Sequence, residues 1–159
     1  MTVVGAQYEV TDGDAMRTVP AGEFHVSYYT TSLGDGELLE AVSVPKLGPG
    51  WGWGFEEVSR RPGDFALVAA GALVRSDGGE IVEARIAVAG VGDRPLRATA
   101  TEMAVAGATP ADLDARVEAI AGIEPTDDAG ASADYRRRLA RVLVIRALAA
   151  AAARSGAAA

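Results

Sequence analysis

The side chains able to do chemistry are few, and their spacing argues against most reactions. Glu56 and Glu57 are neighbours in a stretch that reads as a strand, so they diverge to opposite faces and cannot flank one substrate as an acid/base pair. His25, the single histidine, has no serine or aspartate at an interpretable spacing and reads as an ordinary packed or exposed residue rather than a triad member. Asp12-Gly13-Asp14 and Asp127-Asp128 lie in turn-like sequence, where carboxylates accept from nearby backbone N–H groups, and neither continues into a calcium loop. The absence of cysteine excludes a disulfide frame, a thiolate metal site and a cysteine nucleophile, so no metal site is expected and no catalytic residue is assigned.

The remaining candidates are aromatic. Gly48-Pro49-Gly50-Trp51-Gly52-Trp53-Gly54 invites a phosphate reading, but a phosphate loop needs N–H groups converging at a helix N-terminus, and a strand follows here. The segment reads as a flexible hairpin tip, with Trp51 and Trp53 too large for both to be buried and so able to cover a ligand or a partner. Tyr28 and Tyr29, adjacent in an extended segment, point to opposite faces, which sends one to a core and leaves the other to line a cleft. Arg136-Arg137-Arg138 opens a long helix at the end the macrodipole disfavours for cations; a solvated face is the default, with salt partners or an anion as compensation.

The elements that must position these residues segregate along the chain, strands first and helices second, which predicts an α+β domain. With 159 residues and 49% hydrophobic side chains, one domain with one core is expected: an extended lead-in over 1–34, an antiparallel sheet over 35–97 and a helical part over 98–154. Asp35 to Pro45 and Phe55 to Arg60 read as two strands of one wide-tipped hairpin. Phe65 to Val74 is apolar or small throughout and reads as a central strand buried on both faces. Asp77-Gly78-Gly79 turns the chain into Ile81 to Val88, where Val82, Ala84, Ile86 and Val88 share the packed face.

Downstream, Thr99 or Thr101 starts a short helix that Gly107 ends. Thr109-Pro110 starts another, with Leu113, Val117 and Ile120 on one side and Gly122 as its stop. Ala133 to Ala153 forms the long helix, capped by Ser132 or Asp134, with Leu139, Val142, Leu143 and Ala147 as its apolar stripe. The final Gly156 to Ala159 is expected to fray. Twenty-two acidic against 15 basic side chains, a net charge of −7, disfavour nucleic acid and anionic membranes as partners. Met1 to Val10 has neither a basic start nor a long apolar run, and the alanine-rich tail is short, so the chain reads as cytoplasmic.

An ordered series of short motifs points to a family. Arg17-Thr18-Val19-Pro20-Ala21, Glu23-Phe24, Tyr29-Thr30-Thr31-Ser32-Leu33, Gly36-Glu37-Leu38-Leu39 and Val44-Pro45 are followed by Phe55-Glu56-Glu57-Val58-Ser59-Arg60-Arg61 and Gly63-Asp64-Phe65-Ala66. Ala87 to Gly92, Arg94-Pro95 and Asp134-Tyr135-Arg136-Arg137-Arg138 complete it. With these the chain resembles the C-terminal domain of the FAD-binding medium subunit of molybdenum hydroxylases, the carbon monoxide dehydrogenase and xanthine dehydrogenase family, over nearly its whole length. The resemblance implies a three-stranded antiparallel sheet packed with a bundle of about three helices. It also implies a role in passing electrons from iron–sulfur clusters to FAD. Leu39 is similar to the family position beside the flavin ring and Tyr29 to one where an aromatic lies near it. Glu56 stands where the xanthine dehydrogenase branch has a lysine near the cofactor, an exchange of cation for anion that would alter how a reduced flavin is stabilised.

The family's phosphate-holding half precedes the matched region, and the chain starts where that half would finish. FAD is therefore expected only with a partner chain, an FAD-binding or molybdenum-enzyme subunit, that supplies the phosphate-binding half. Two other functions stay open. One is a stand-alone, cofactor-free enzyme, a cyclase, cycloaddition or rearrangement catalyst, that uses the former flavin-facing surface as an apolar pocket for a flat or polycyclic ligand. The other is a protein-interaction module.

Overall fold

The computed structural model describes residues 1–155, and the expected fraying of Gly156 to Ala159 lies outside them. Nine strands, β1 (Gln7–Thr11), β2 (Met16–Pro20), β3 (His25–Ser27), β4 (Thr30–Thr31), β5 (Leu38–Ser43), β6 (Trp51–Ser59), β7 (Ala66–Asp77), β8 (Glu80–Ala89) and β9 (Leu96–Arg97), precede most of the helix. The helices are α1 (Ala21–Phe24), α2 (Thr99–Ala104), α3 (Leu113–Arg116), which continues a 3-10 turn at Pro110–Asp112, and α4 (Ala133–Ser155). The α+β class and the strands-then-helices order hold. The main sheet is the antiparallel β6-β7-β8 set with the two-residue β9 added at one edge.

The larger core lies between this sheet and α4. Val68, Ala70, Ala72 and Val74 of β7 and Ile86 and Val88 of β8 are buried with Leu143, Val144, Ala147, Leu148 and Ala151 of α4. Period 2 explains the selection from β7: alternate residues point to α4, while on the other face Leu73 is buried and Ala69 and Gly71 stay half-buried, so the second side is closed only in part. Gly78 and Gly79 both take positive φ in the β7–β8 turn, as a two-residue hairpin of matching twist requires. Val82 is a correction. A bulge where Arg75 and Ser76 meet Glu83 and Ile81 leaves Val82 without a partner, so Ile81 enters the core and Val82 is exposed.

The helical stripe also differs from the expected one. Ala140, Leu143, Val144, Ala147, Leu148 and Ala151 face the sheet, whereas Val142 is exposed. Gly52 and Gly54 of β6 are the reason. An added Cβ at Gly54 would stand 2.0 Å from the Ala147 carbonyl oxygen, and one at Gly52 2.0 Å from that of Ala151. The helix backbone thus lies directly on the strand, with Ala147, Ala151 and Ser155 at the contact. Trp51 to Gly54 accordingly belongs to β6, paired with Leu73, Val74 and Arg75 among others, and is not a flexible tip.

The first 47 residues correct the expected division further. Residues 1–34 are not an extended lead-in: β1 and β2 form a hairpin and Asp12 Oδ1 closes its turn by accepting from the N–H groups of Asp14 and Ala15. Beneath them a second, separate core joins Ala6, Tyr8, Val10, Val19, Ala21 and Phe24, with the Tyr8 and Phe24 rings stacked at 4.2 Å. β5 does not pair with β6 as the hairpin reading required. It joins β1 instead, Val42 opposite Tyr8, and makes the three-stranded sheet β2-β1-β5.

Glu37 fastens this N-terminal unit by accepting from Arg17 Nε at 2.7 Å and Nη2 at 2.6 Å and from the Gly34 N–H at 2.6 Å. The Arg17 hydrogen bond, chiefly, and the Gly34 N–H hold the Glu37 carboxyl down at about 2 from an ordinary 4.5. A carboxylate depressed in the folded state stabilises it above the unfolded value and loses that contribution as pH falls through the folded one. The unfolding midpoint in urea is therefore expected to drop as pH is lowered from 4.5 towards 2, and Glu37→Gln is expected to flatten that dependence. A variant with the wild-type pH profile would remove Glu37 as a contributor.

Candidate functional site

Two clefts, each of about 330 Å³, open where the N-terminal unit meets the main sheet. The first is polar and lies between the β3–β4 turn, the loop after β8 and the segment before α4. Tyr28 of the turn donates from its hydroxyl to the Gly92 carbonyl at 3.3 Å, and Arg94 donates to the His25 carbonyl at 3.4 Å, so the two units are latched across the cleft. Its floor is Arg136, which is buried and donates to the carbonyls of Leu67 and Gly90 and to Asp128 Oδ2, the last two at 2.9 and 2.7 Å.

The arginine run at the start of α4 is thus not a uniformly solvated face. Its first member reaches back to bind the ends of β7 and β8, and the Asp128 carboxylate compensates its charge. Asp128 stays in a turn as expected, accepting also from the N–H groups of Gly130 and Ala131. The Arg136 guanidinium, first, and these two N–H groups hold its carboxyl at about 2. Gly90 makes the approach feasible: its φ is +78°, and a Cβ there would stand 2.2 Å from the Leu67 carbonyl oxygen.

The second cleft is apolar, bordered by Met1 to Val3, Tyr8, His25, Phe55, Gly71 and Ala87. His25 stands edge-on to Phe24 at 5.3 Å and to Tyr8 at 6.2 Å, which makes it a member of an aromatic cluster and not a base beside a nucleophile. Among the described residues no three His, Cys, Asp or Glu side chains gather as a metal site would need, and no helix is long and apolar enough to cross a membrane.

The six residues singled out from the sequence do not converge. Tyr28 and Tyr29 form the β3–β4 turn, so neither enters a core: Tyr28 borders the polar cleft, and Tyr29, with φ +53°, holds its ring fully in solvent. A left-handed conformation is uncommon for a residue with a bulky side chain, and a tight turn imposes it here. Leu39 is on β5 and half-exposed. Trp51 and Trp53 project from the side of β6 opposite α4, each with an arginine over its ring, Arg85 Cζ 4.8 Å from the Trp51 ring centre and Arg154 Cζ 4.4 Å from that of Trp53, and Trp53 stays exposed. Alternation puts Glu56 on the α4 side of the same strand with Gly52 and Gly54. Of the six, only Tyr28 borders either cleft. Sequence reasoning placed neither Arg136 nor Phe55 at a cleft. The signal for the first is the pairing of an arginine with Gly90, and for the second the alternation of β6, which is hidden when Trp51 to Gly54 is read as a loop.

Residues 53–151 match the family model described as the CO dehydrogenase flavoprotein C-terminal domain. The chain belongs to that family. Residues 1–47 of this flavoprotein-family chain match a second model, the FAD binding domain in molybdopterin dehydrogenase. The motifs from Arg17 to Pro45, assigned above to the C-terminal domain, therefore fall in the FAD-binding family, and the boundary between the two matches coincides with the passage from the β2-β1-β5 sheet to β6.

The chain is 34% identical over 152 residues to the carbon monoxide dehydrogenase medium chain of Afipia carboxidovorans, covering 93% of this chain and 52% of that one. Among solved structures, a reconstituted CO dehydrogenase from Oligotropha carboxidovorans superposes with a TM-score of 0.88 at 33% identity, over 97% of this chain and 55% of that one. Quinoline 2-oxidoreductase from Pseudomonas putida 86 superposes with a TM-score of 0.84 at 33% identity, over 96% and 54%. The flavoprotein-family chain thus spans about half the length of the relatives it matches.

Proposed function

We propose that the chain completes a flavin site in an electron-transfer subunit, jointly with a partner polypeptide that holds the FAD pyrophosphate. The observation that carries this reading is the pair of consecutive matches, FAD-binding domain over 1–47 and flavoprotein C-terminal domain over 53–151. The residues at hand suit a flat, largely apolar ring better than a phosphate. Tyr29 presents an uncovered aromatic ring from a conformationally fixed turn, and Leu39 offers a half-exposed apolar side chain on the same N-terminal unit. These two would border the isoalloxazine. FAD, when bound, supplies two-electron acceptance and one-electron release, while Tyr29 and Leu39 would orient the ring and exclude water from it. Glu56, half-buried on the α4 side of β6, is not assigned to the ring.

The cofactor-free catalyst gains nothing from the comparisons, and the tryptophans expected to wall its pocket border neither cleft. The test is a titration with FAD followed by tryptophan quenching and by visible absorbance. It is made on the chain alone, then on the chain with the part of the Afipia carboxidovorans medium chain that lies outside the matched stretch. The expected result is no saturable binding alone and a yellow, co-eluting assembly with the added half. Tight binding by the chain alone would show that no partner is needed for the pyrophosphate, and no flavin in either case would overturn the reading.

A further inference from the structure

The polar cleft between the N-terminal unit and the main sheet has a charged floor with hydrogen-bonding capacity left over. The Arg136 side chain is only 9% exposed, and its three bonds engage two N–H groups of Nη1 and one of Nη2. A guanidinium carries five, so Nε–H and one Nη2–H remain. Among the described residues the fully buried side-chain polar atoms without a partner are Ser32 Oγ and Thr101 Oγ1, so the unpaired Nε of Arg136 is reached from the cleft it borders. Arg94 borders the same cleft, donates to the His25 carbonyl at 3.4 Å and has no ion-pair partner among the described residues. Tyr28 and Thr126 add hydroxyl oxygens. The carboxylates are Asp93 and Asp128, the second already engaged by Arg136.

We propose that this cleft binds a small molecule with one carboxylate and a hydrogen-bond donor beside it, of the α-hydroxy or α-amino acid class. Two guanidiniums with unused donors select an oxyanion, and a planar carboxylate matches their fork. The balance of charge selects a single negative charge. Arg94 and Arg136 are set against Asp93 and Asp128, so a phosphate or a dicarboxylate would bring a second charge that nothing in the cleft neutralises. Asp93, exposed and in no ion pair among the described residues, is left to accept from the donor. The volume of about 330 Å³ admits a molecule of this size with both units where they stand. Tyr28 comes from the N-terminal unit and Arg94 and Arg136 from the other, so an occupant would tie the two together. The site uses neither Tyr29 nor Leu39 and stands or falls apart from the flavin reading.

Titration of the unmodified chain with sodium lactate at fixed ionic strength, followed by the arginine Nε–H signals in proton–nitrogen correlation spectra, tests this. The Arg136 and Arg94 signals are expected to shift together and to saturate in the millimolar range. Propionate, which lacks the hydroxyl, is expected to bind about threefold more weakly or worse, and pyrophosphate not to compete. Arg94→Gln is expected to weaken lactate about tenfold while the bonds of Arg136 to Leu67 and Gly90 stay in place. Because the titration of the unmodified chain needs no variant, it stands even if Arg94→Gln misfolds. Shifts that fail to saturate with lactate, or an unchanged affinity in a folded Arg94→Gln, would overturn the site. Equal affinity for propionate would overturn the donor beside the carboxylate, and tighter binding of pyrophosphate than of lactate would overturn the assignment to a singly charged ligand.

Discussion

Gly54→Ala is expected to lower the stability of the domain by about 3 kcal/mol or more, although it adds one methyl group. The Cβ would stand 2.0 Å from the Ala147 carbonyl oxygen and 3.1 Å from its Cα, and these are backbone atoms in the middle of α4 that no rotamer change can move aside. The helix would have to lift from the sheet, opening the core around Leu143, Val144 and Leu148. Gly52→Ala should behave similarly, since its Cβ would meet the Ala151 carbonyl oxygen at 2.0 Å and the Ser155 N at 2.5 Å. The comparison is Gly22→Ala in α1, where nothing lies within 4 Å and φ is not positive. There the substitution is expected to be neutral or to stabilise by about 0.5–1 kcal/mol, because alanine restricts the unfolded chain. Urea unfolding of the three variants reads the difference. Wild-type stability for Gly54→Ala would mean that the strand and helix do not lie in backbone contact.

The second large effect is at Arg136. Arg136→Met keeps most of the side chain's volume and removes its donors, which strands the Leu67 and Gly90 carbonyls at the ends of β7 and β8. With about 1–3 kcal/mol for a buried acceptor left unpaired, and Leu67 and Gly90 only half-buried, a loss of about 2 kcal/mol is expected. Asp128→Asn should do less, because Arg136 keeps its two carbonyl acceptors and the amide oxygen at 128 can still accept from Nη2. Arg136→Lys should recover part of the loss, having one ammonium to share between acceptors that a guanidinium reaches with separate nitrogens. Unfolding midpoints for the three variants, with the Arg136/Asp128 double variant closing the cycle, give the comparison. Equal losses for Arg136→Met and Asp128→Asn would show that the ion pair, and not the two carbonyls, is what matters.

Much of the fold was legible because it follows from local rules. Ser132 caps α4, accepting from the Tyr135 N–H at 3.3 Å, and Thr109 with Asp112 forms the capping box that the Thr109-Pro110 pair announces. The β7–β8 hairpin is written in Asp77-Gly78-Gly79 and in the alternation around it. The candidate site was much less legible. Tyr28 and Tyr29 were read as an extended pair, since two adjacent tyrosines give no sign that they fill the two central positions of a turn. His25 packing edge-on against two aromatic rings depends on a core assembled from Tyr8 and Phe24, which periodicity alone does not place together.

The chain's own sequence determined β7, β8 and the turn between them, the long helix α4 with Ser132 at its start, the Thr109 capping box, and through its ordered motifs the family. Tertiary structure alone decided which strand joins which. β5 pairs with β1, more than 25 positions earlier, and not with the next strand, because the apolar residues Leu39 and Val42 find Val10 and Tyr8 to lie beside. It also decided what the glycines of β6 are for. In sequence a Gly-Trp-Gly-Trp-Gly run states only that side chains are missing on alternate positions. The reason they are missing, the backbone of α4 lying where those side chains would be, is a contact across about ninety residues that no local pattern encodes.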